Sequence, residues 1–167
     1  SFRAEGWEVT AICARTLEKV QASAKEHEIP LLFTDFHDLV ASDQLDAVAI
    51  VTPPVSHAEA TLAAIAAGKH VLCEKPFAMN LTEARTMRSA AATMGTTAMV
   101  AHEFRYTPQR LQARELLTQG YVGEPLTLHA QANFSLGPRG AVAPMSWQAN
   151  LADGGGALGA LGSHFLD

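Results

Sequence analysis

The chain has 167 residues, 48% of them hydrophobic and 17% charged, and carries a formal charge of −5 at pH 7. That composition allows a packed core and excludes an intrinsically disordered chain. The negative balance argues against nucleic acid or an anionic membrane as the main partner, no apolar run reaches the ~20 residues of a membrane span, and no signal peptide is recognisable.

Residues 8–14, EVTAICA, are β-branched and apolar enough for a strand buried on both faces. Thr16 is placed to cap the next helix, which would carry Leu17, Val20 and Ala24 on one face. Ile29-Pro30 ends that helix, 31–33 is a short strand and 35–42 a short helix. Residues 46–51, DAVAIV, form the clearest buried strand, stopped by Thr52-Pro53-Pro54. A helix over 55–67 follows, with Ala58, Leu62 and Ile65 at helical spacing and Gly68 at the position that closes a helix in the left-handed conformation. His70-Val71-Leu72-Cys73 is the next strand, and Glu74-Lys75-Pro76 sits at its carboxyl end. Asn80 to Glu83 has the form of a capping box, opening a helix with Leu81, Ala84, Met87, Ala91 and Met94 inward. Residues 96–101 make a further strand.

This alternation predicts a doubly wound α/β domain, a parallel sheet with right-handed crossovers. In the common strand order the strand at 8–14 does not pair with that at 46–51. After His102 the texture changes: a helix over 108–119, an alternating strand over 125–134, then a Gly- and Pro-rich loop over 135–150 with Trp147 as an anchor. A boundary near His102 gives a first domain over 1–102 and the beginning of a second over 103–167. Both ends read as cut, the first entering on the tail of a helix and the last leaving on the start of one. Cys13 and Cys73 each end an apolar strand and read as free, buried thiols of a reducing cytoplasm.

Four groups of residues could carry chemistry. Ligands of open parallel sheets bind beyond the carboxyl ends of the strands, where Glu74 and Lys75 would supply a proton acceptor and donor and Pro76 would stiffen the turn. Charges at a strand end are otherwise simply solvated. Thr52-Pro53-Pro54 forms a rigid turn before a helix N-terminus, with His57 in the first turn as a packing, capping or site residue. Arg15 stands where an acid would otherwise accept from the adenosine ribose, so it is either a surface residue at a helix start or the partner of a 2′-phosphate. Gly154-Gly155-Gly156 introduces a helix bearing His164. No pair among the histidines has metal-ligand spacing, so no metal site is expected.

In order and spacing, TPPVSH, AGKHVLCEKPFA and GGGALGALGSHFLD resemble the glucose–fructose oxidoreductase / inositol dehydrogenase / MocA family over nearly the whole chain. The resemblance implies an N-terminal Rossmann domain holding NAD or NADP and a C-terminal α+β domain whose open sheet often serves homo-oligomerisation. It implies hydride transfer between nicotinamide and a hydroxyl or carbonyl of a sugar, inositol or related polyol. By position, Lys75 resembles the catalytic lysine and His164 the catalytic histidine. Glu74 and Pro76 resemble residues lining the nicotinamide ribose, Thr52, Pro53, Pro54 and His57 the cofactor-facing turn, and Arg105 the arginine of the domain-crossing segment. Arg15 points to NADP rather than NAD. Two features depart from the family pattern: its first strand and glycine-rich loop would precede this chain, and Ala160 stands where many members have Asp. The second departure keeps open a dinucleotide-binding sensor or scaffold without turnover.

Overall fold

The computed structural model describes residues 2–131, 147, 150–156 and 158–167, with the backbone alone at 158 and 160. The chain divides into two compact units, Ser1–Val100 and Ala101–Asp167.

In the first unit, strands and helices alternate as β1 (Ala11–Cys13), α1 (Leu17–His27), β2 (Leu31–Phe33), α2 (Phe36–Ala41), β3 (Ala47–Ile50), α3 (His57–Ala66), β4 (His70–Glu74) and α4 (Leu81–Met94), and β5 (Ala98–Ala101) runs into the second. β1 pairs with β2 and β3 with β4, both in parallel, in the separate orders β1-β2 and β3-β4-β5. β1 and β3 are thus not hydrogen-bonded neighbours, as the expected order requires. One hydrophobic core nevertheless joins the sheets: Ile50, Val71 and Cys73 from the strands meet Leu39 and Val40 of α2, Ala60, Ala64 and Ile65 of α3 and Ala91 of α4, and Cys13 and Phe33 pack against them.

The β3 strand is less enclosed than its composition suggests. Ile50 is buried, Ala49 is exposed, and Val51 just beyond it is 74% exposed. The reason is topological: β3 ends the order of its sheet, and no strand among the described residues bonds to its far edge. Thr16 is the N-cap of α1, but its side chain makes no capping hydrogen bond. Leu17 at the helix start is exposed, as are Leu81 and Met94 at the two ends of α4, whereas Val20, Ala24, Met87 and Ala91 are buried as expected. Terminal turns of a helix overhang the surface they pack on, so helical spacing alone does not bury them.

Two helix ends fix the chain on either side of β4. Gly68 has φ +74°, its N–H bonds to Ile65 O at 2.9 Å, and the Lys69 N–H reaches Ala64 O at 2.9 Å, which closes α3 and aims the chain into the strand. At the start of α4, Asn80 Oδ1 accepts from the Glu83 N–H at 2.9 Å, and Asn80 Nδ2 donates to Glu83 Oε1 at 2.9 Å. Glu83 Oε2 accepts from the Met79 N–H at 2.9 Å. The reciprocal half of the box thus closes on Met79 and the Asn80 amide. This cap holds the segment that leaves Lys75. Asn80→Ala in the full-length protein is expected to cost about 1 kcal/mol, read from the midpoint of denaturant unfolding; an unchanged midpoint would show the box to be energetically idle.

In the second unit, the helical turn Glu103–Tyr106 leads into α5 (Pro108–Thr118), and the chain ends on α6 (Ser163–Leu166). The strand expected over 125–134 is absent from 125–131, where the described backbone has no ladder partner; alternation specifies a face but supplies no strand to bond with. Residues 132–134, and most of the loop expected over 135–150, lie outside the described residues.

Candidate functional site

The two turns singled out in sequence lie at the carboxyl ends of the hydrogen-bonded neighbours β3 and β4. After β3, Thr52 is exposed, Pro53 half-buried, and Pro54 fully buried at the start of a short helical turn, Pro54–Ser56, that leads into α3. Ser56 Oγ lies 2.7 Å from Thr52 Oγ1 and 2.9 Å from Pro53 O. A carbonyl can only accept, so the single Ser56 hydroxyl proton suits Pro53 O, and the Thr52 hydroxyl can then donate to Ser56. The turn is braced from within by its own polar groups.

After β4, Glu74, Lys75 and Pro76 are all half-buried, and the Lys75–Pro76 peptide is cis. The Lys75 N–H donates to Glu74 Oε2 at 3.2 Å, which folds the carboxylate back over the backbone of the lysine. Cys73, just before them, is buried. Burial pushes its thiol up to about 11. That suits a packing residue and not a nucleophile.

His57 joins the two turns. It is 0% exposed, with Nε2 2.6 Å from Thr52 O and Nδ1 2.9 Å from Pro76 O. Its place within the first turn of α3 is as expected. Its enclosure fits the packing alternative, but its partners are not legible in sequence, because both are backbone carbonyls and one lies 19 positions away. His57 and Pro54 therefore shape the site from behind, while Thr52, Glu74 and Lys75 present atoms that a ligand can reach.

Arg15 is exposed just past the carboxyl end of β1, and its side chain makes no hydrogen bond or ion pair among the described residues. Two carboxylates escaped the sequence reading here. Asp35 and Asp38, after burial, help to raise the Cys13 thiol, so their negative charge reaches the end of β1. Asp35 is engaged in capping α2, where its Oδ1 accepts from the His37 N–H at 2.8 Å.

The second unit gathers its own polar cluster. His164 on α6 is 1% exposed and stacks on Phe104, with ring centroids 4.0 Å apart and planes at 16°; it meets the His102 ring edge-on at 5.6 Å. Its Nε2 lies 3.8 Å from Glu103 Oε1, and its carbonyl accepts from Arg110. Arg105 makes a forked contact with Asp167, donating from Nε to Oδ2 at 2.9 Å, and His102 Nδ1 lies 3.4 Å from Asp167 Oδ1. The Arg105 hydrogen bond holds the Asp167 carboxyl below the ordinary carboxylate range. The arginine expected to face a cofactor is thus occupied by a carboxylate of this chain. Glu103 and Asp167 were missed in sequence, although Glu103 lies two residues before Arg105 in the domain-crossing segment. No cluster of metal-ligating side chains occurs among the described residues.

Residues 2–102 match a family described as an oxidoreductase family with an NAD-binding Rossmann fold, and residues 111–167 match the GFO/IDH/MocA C-terminal domain. The chain is 39% identical to a 1,5-anhydro-D-fructose reductase of Ensifer adhaerens, over 75% of its own length and 38% of that protein's. It is 34% identical to an NADP-linked D-xylose 1-dehydrogenase of Haloarcula marismortui, covering 73% of this chain and 35% of the other. A levoglucosan dehydrogenase solved with NADH and levoglucosan superposes with a TM-score of 0.80 at 28% identity, over 93% of this chain and 42% of that one. The chain thus spans well under half the length of these relatives. Matched along nearly its whole length by the two domains of a single family, with the parallel strands and crossover helices of a Rossmann domain before residue 102, it belongs to the Gfo/Idh/MocA oxidoreductases.

Proposed function

We propose that the full-length protein is an NAD(P)-dependent dehydrogenase or reductase acting on a CH–OH group or its carbonyl in a sugar, inositol or related polyol. The observation that carries this reading is Lys75, on a braced turn at the carboxyl end of β4 and tied through His57 to the turn after β3. The residues present suit the nicotinamide half of a dinucleotide, with Thr52 and Glu74 offering polar atoms beyond adjacent parallel strands and Pro53 and Pro76 a rigid apolar wall. When bound, the cofactor supplies the hydride acceptor or donor. Oxidation of a secondary alcohol then leaves one proton, for which Lys75 is the proposed acceptor from the hydroxyl; reduction runs the transfer backwards. His164 serves as a second acid–base group, with Glu103 providing a carboxylate where Ala160 provides none.

NADP is proposed over NAD because Arg15 is exposed and available to pair with a 2′-phosphate. The relatives point both ways, one being NADP-linked and another solved with NADH. Carboxylates close enough to raise the Cys13 thiol favour the NAD reading. The lack of an acid at 160 likewise supports a dinucleotide-binding sensor or scaffold without turnover. A cytoplasmic homo-oligomer acting on small molecules, with no nucleic-acid or membrane partner, completes the proposal. The negative formal charge supports it, and no helix among the described residues is long and apolar enough to cross a membrane. The test is to follow nicotinamide absorbance for the full-length protein against sugars, inositols and anhydro-sugars with both cofactors. Turnover with at least one supports the enzyme reading, and binding without turnover supports the sensor.

A further inference from the structure

We infer that His57 is a positioning residue of the dinucleotide site, a buried crosslink that sets the turn after β3 against the turn carrying Lys75. This rests on the dinucleotide reading above. The ring is 0% exposed, so it does not meet a ligand itself, and it lies 2.6 Å from Thr52 O and 2.9 Å from Pro76 O. Both oxygens only accept, so every proton the imidazole carries is committed to one of these turns: one in its neutral form, two when protonated. The β3–β4 register ends at Ile50 and Cys73, so beyond that pair the ring continues the connection between these two neighbours outward. Thr52 is additionally held by Ser56, and α4 is capped four residues beyond Pro76, which leaves the Pro76 carbonyl as the point where Lys75 depends on His57. A shift of roughly 1 Å in a positioned group costs on the order of 10²-fold in rate, so loss of this crosslink reaches the chemistry without removing any group that touches the ligand.

The experiment uses the full-length protein with His57→Phe, which keeps a planar aromatic ring and removes both nitrogens, and His57→Gln, whose amide donates to one carbonyl. The expected result for His57→Phe is a dinucleotide Kd raised roughly tenfold, a lower kcat and an unchanged KM for the second substrate. His57→Gln should recover part of both losses. A residue that serves only stability would lower Tm and leave this split untouched. In ligand-free wild-type protein, a His57 ring N–H signal protected from exchange is expected, together with a shift of the Phe77 amide signal in both variants. These signals report the crosslink even if no dinucleotide binds, so failure of the functional reading and failure of this one are separable. Wild-type Kd and kcat in His57→Phe would overturn the inference, as would a freely exchanging ring proton. Should His57→Phe not fold, His57→Gln decides: a raised Kd with a moved Phe77 amide supports the crosslink, and wild-type values for both overturn it.

Discussion

In the full-length protein, Lys75→Ala is expected to lower kcat by roughly 10²–10⁴-fold, the usual worth of a positioned acid–base group, and His164→Ala to lower it less. The difference follows from how each side chain is held. Lys75 follows a strand paired on both sides, its N–H is bonded to Glu74, and Pro76 beyond it is tied to His57. His164 is buried on Phe104, but the carboxylate facing its Nε2 belongs to Glu103, whose side chain is 60% exposed and 3.8 Å away. A carboxylate in water at that distance orients an imidazole weakly. Ala160→Asp would supply a second one from the same helical segment and is expected to raise kcat or sharpen its pH dependence. Steady-state kinetics across pH with one accepted substrate compares the three variants. A Lys75→Ala enzyme with near-wild-type kcat would reduce the lysine to a cofactor contact.

The second large effect concerns cofactor choice. Arg15→Ala is expected to lower kcat/KM for NADP by about ten- to a hundredfold while leaving NAD nearly unchanged, because a hydrogen bond to a charged group contributes ~1.5–3 kcal/mol. Measurement of kcat/KM for both cofactors in wild type and variant decides it. An NAD preference in the wild type would mean that the field of Asp35 and Asp38 outweighs Arg15 at the end of β1.

Much of this was legible in the sequence because it is encoded locally. Strand 31–33 and the helix expected over 108–119, which runs from Pro108 to Thr118, are read from local pattern, Gly68 from the need for a positive φ, and the Asn80–Glu83 box from two side chains three residues apart. What stayed hidden depends on partners remote in the chain. Val51 and Leu81 are apolar residues left exposed because nothing among the described residues packs on them, and residues 125–131 alternate with no described strand to join. His57 was placed correctly on the helix, but its carbonyl partners at Thr52 and Pro76 emerge only once β3 and β4 lie side by side. Arg105 was named for a cofactor, whereas its fork meets Asp167, 62 positions on. Long-range pairing of opposite charges leaves no period to read.

The proposed chemistry requires Lys75 to meet the reacting oxygen beside a nicotinamide held by the turns after β3 and β4. A crystal structure of the full-length protein with oxidised cofactor and an accepted alcohol tests it most directly. The expected result places the nicotinamide ribose against Glu74 and Pro76, with Lys75 Nζ within hydrogen-bond reach, roughly 2.6–3.2 Å, of the substrate hydroxyl. A nicotinamide bound away from those turns, or a reacting hydroxyl out of reach of Lys75, would contradict it.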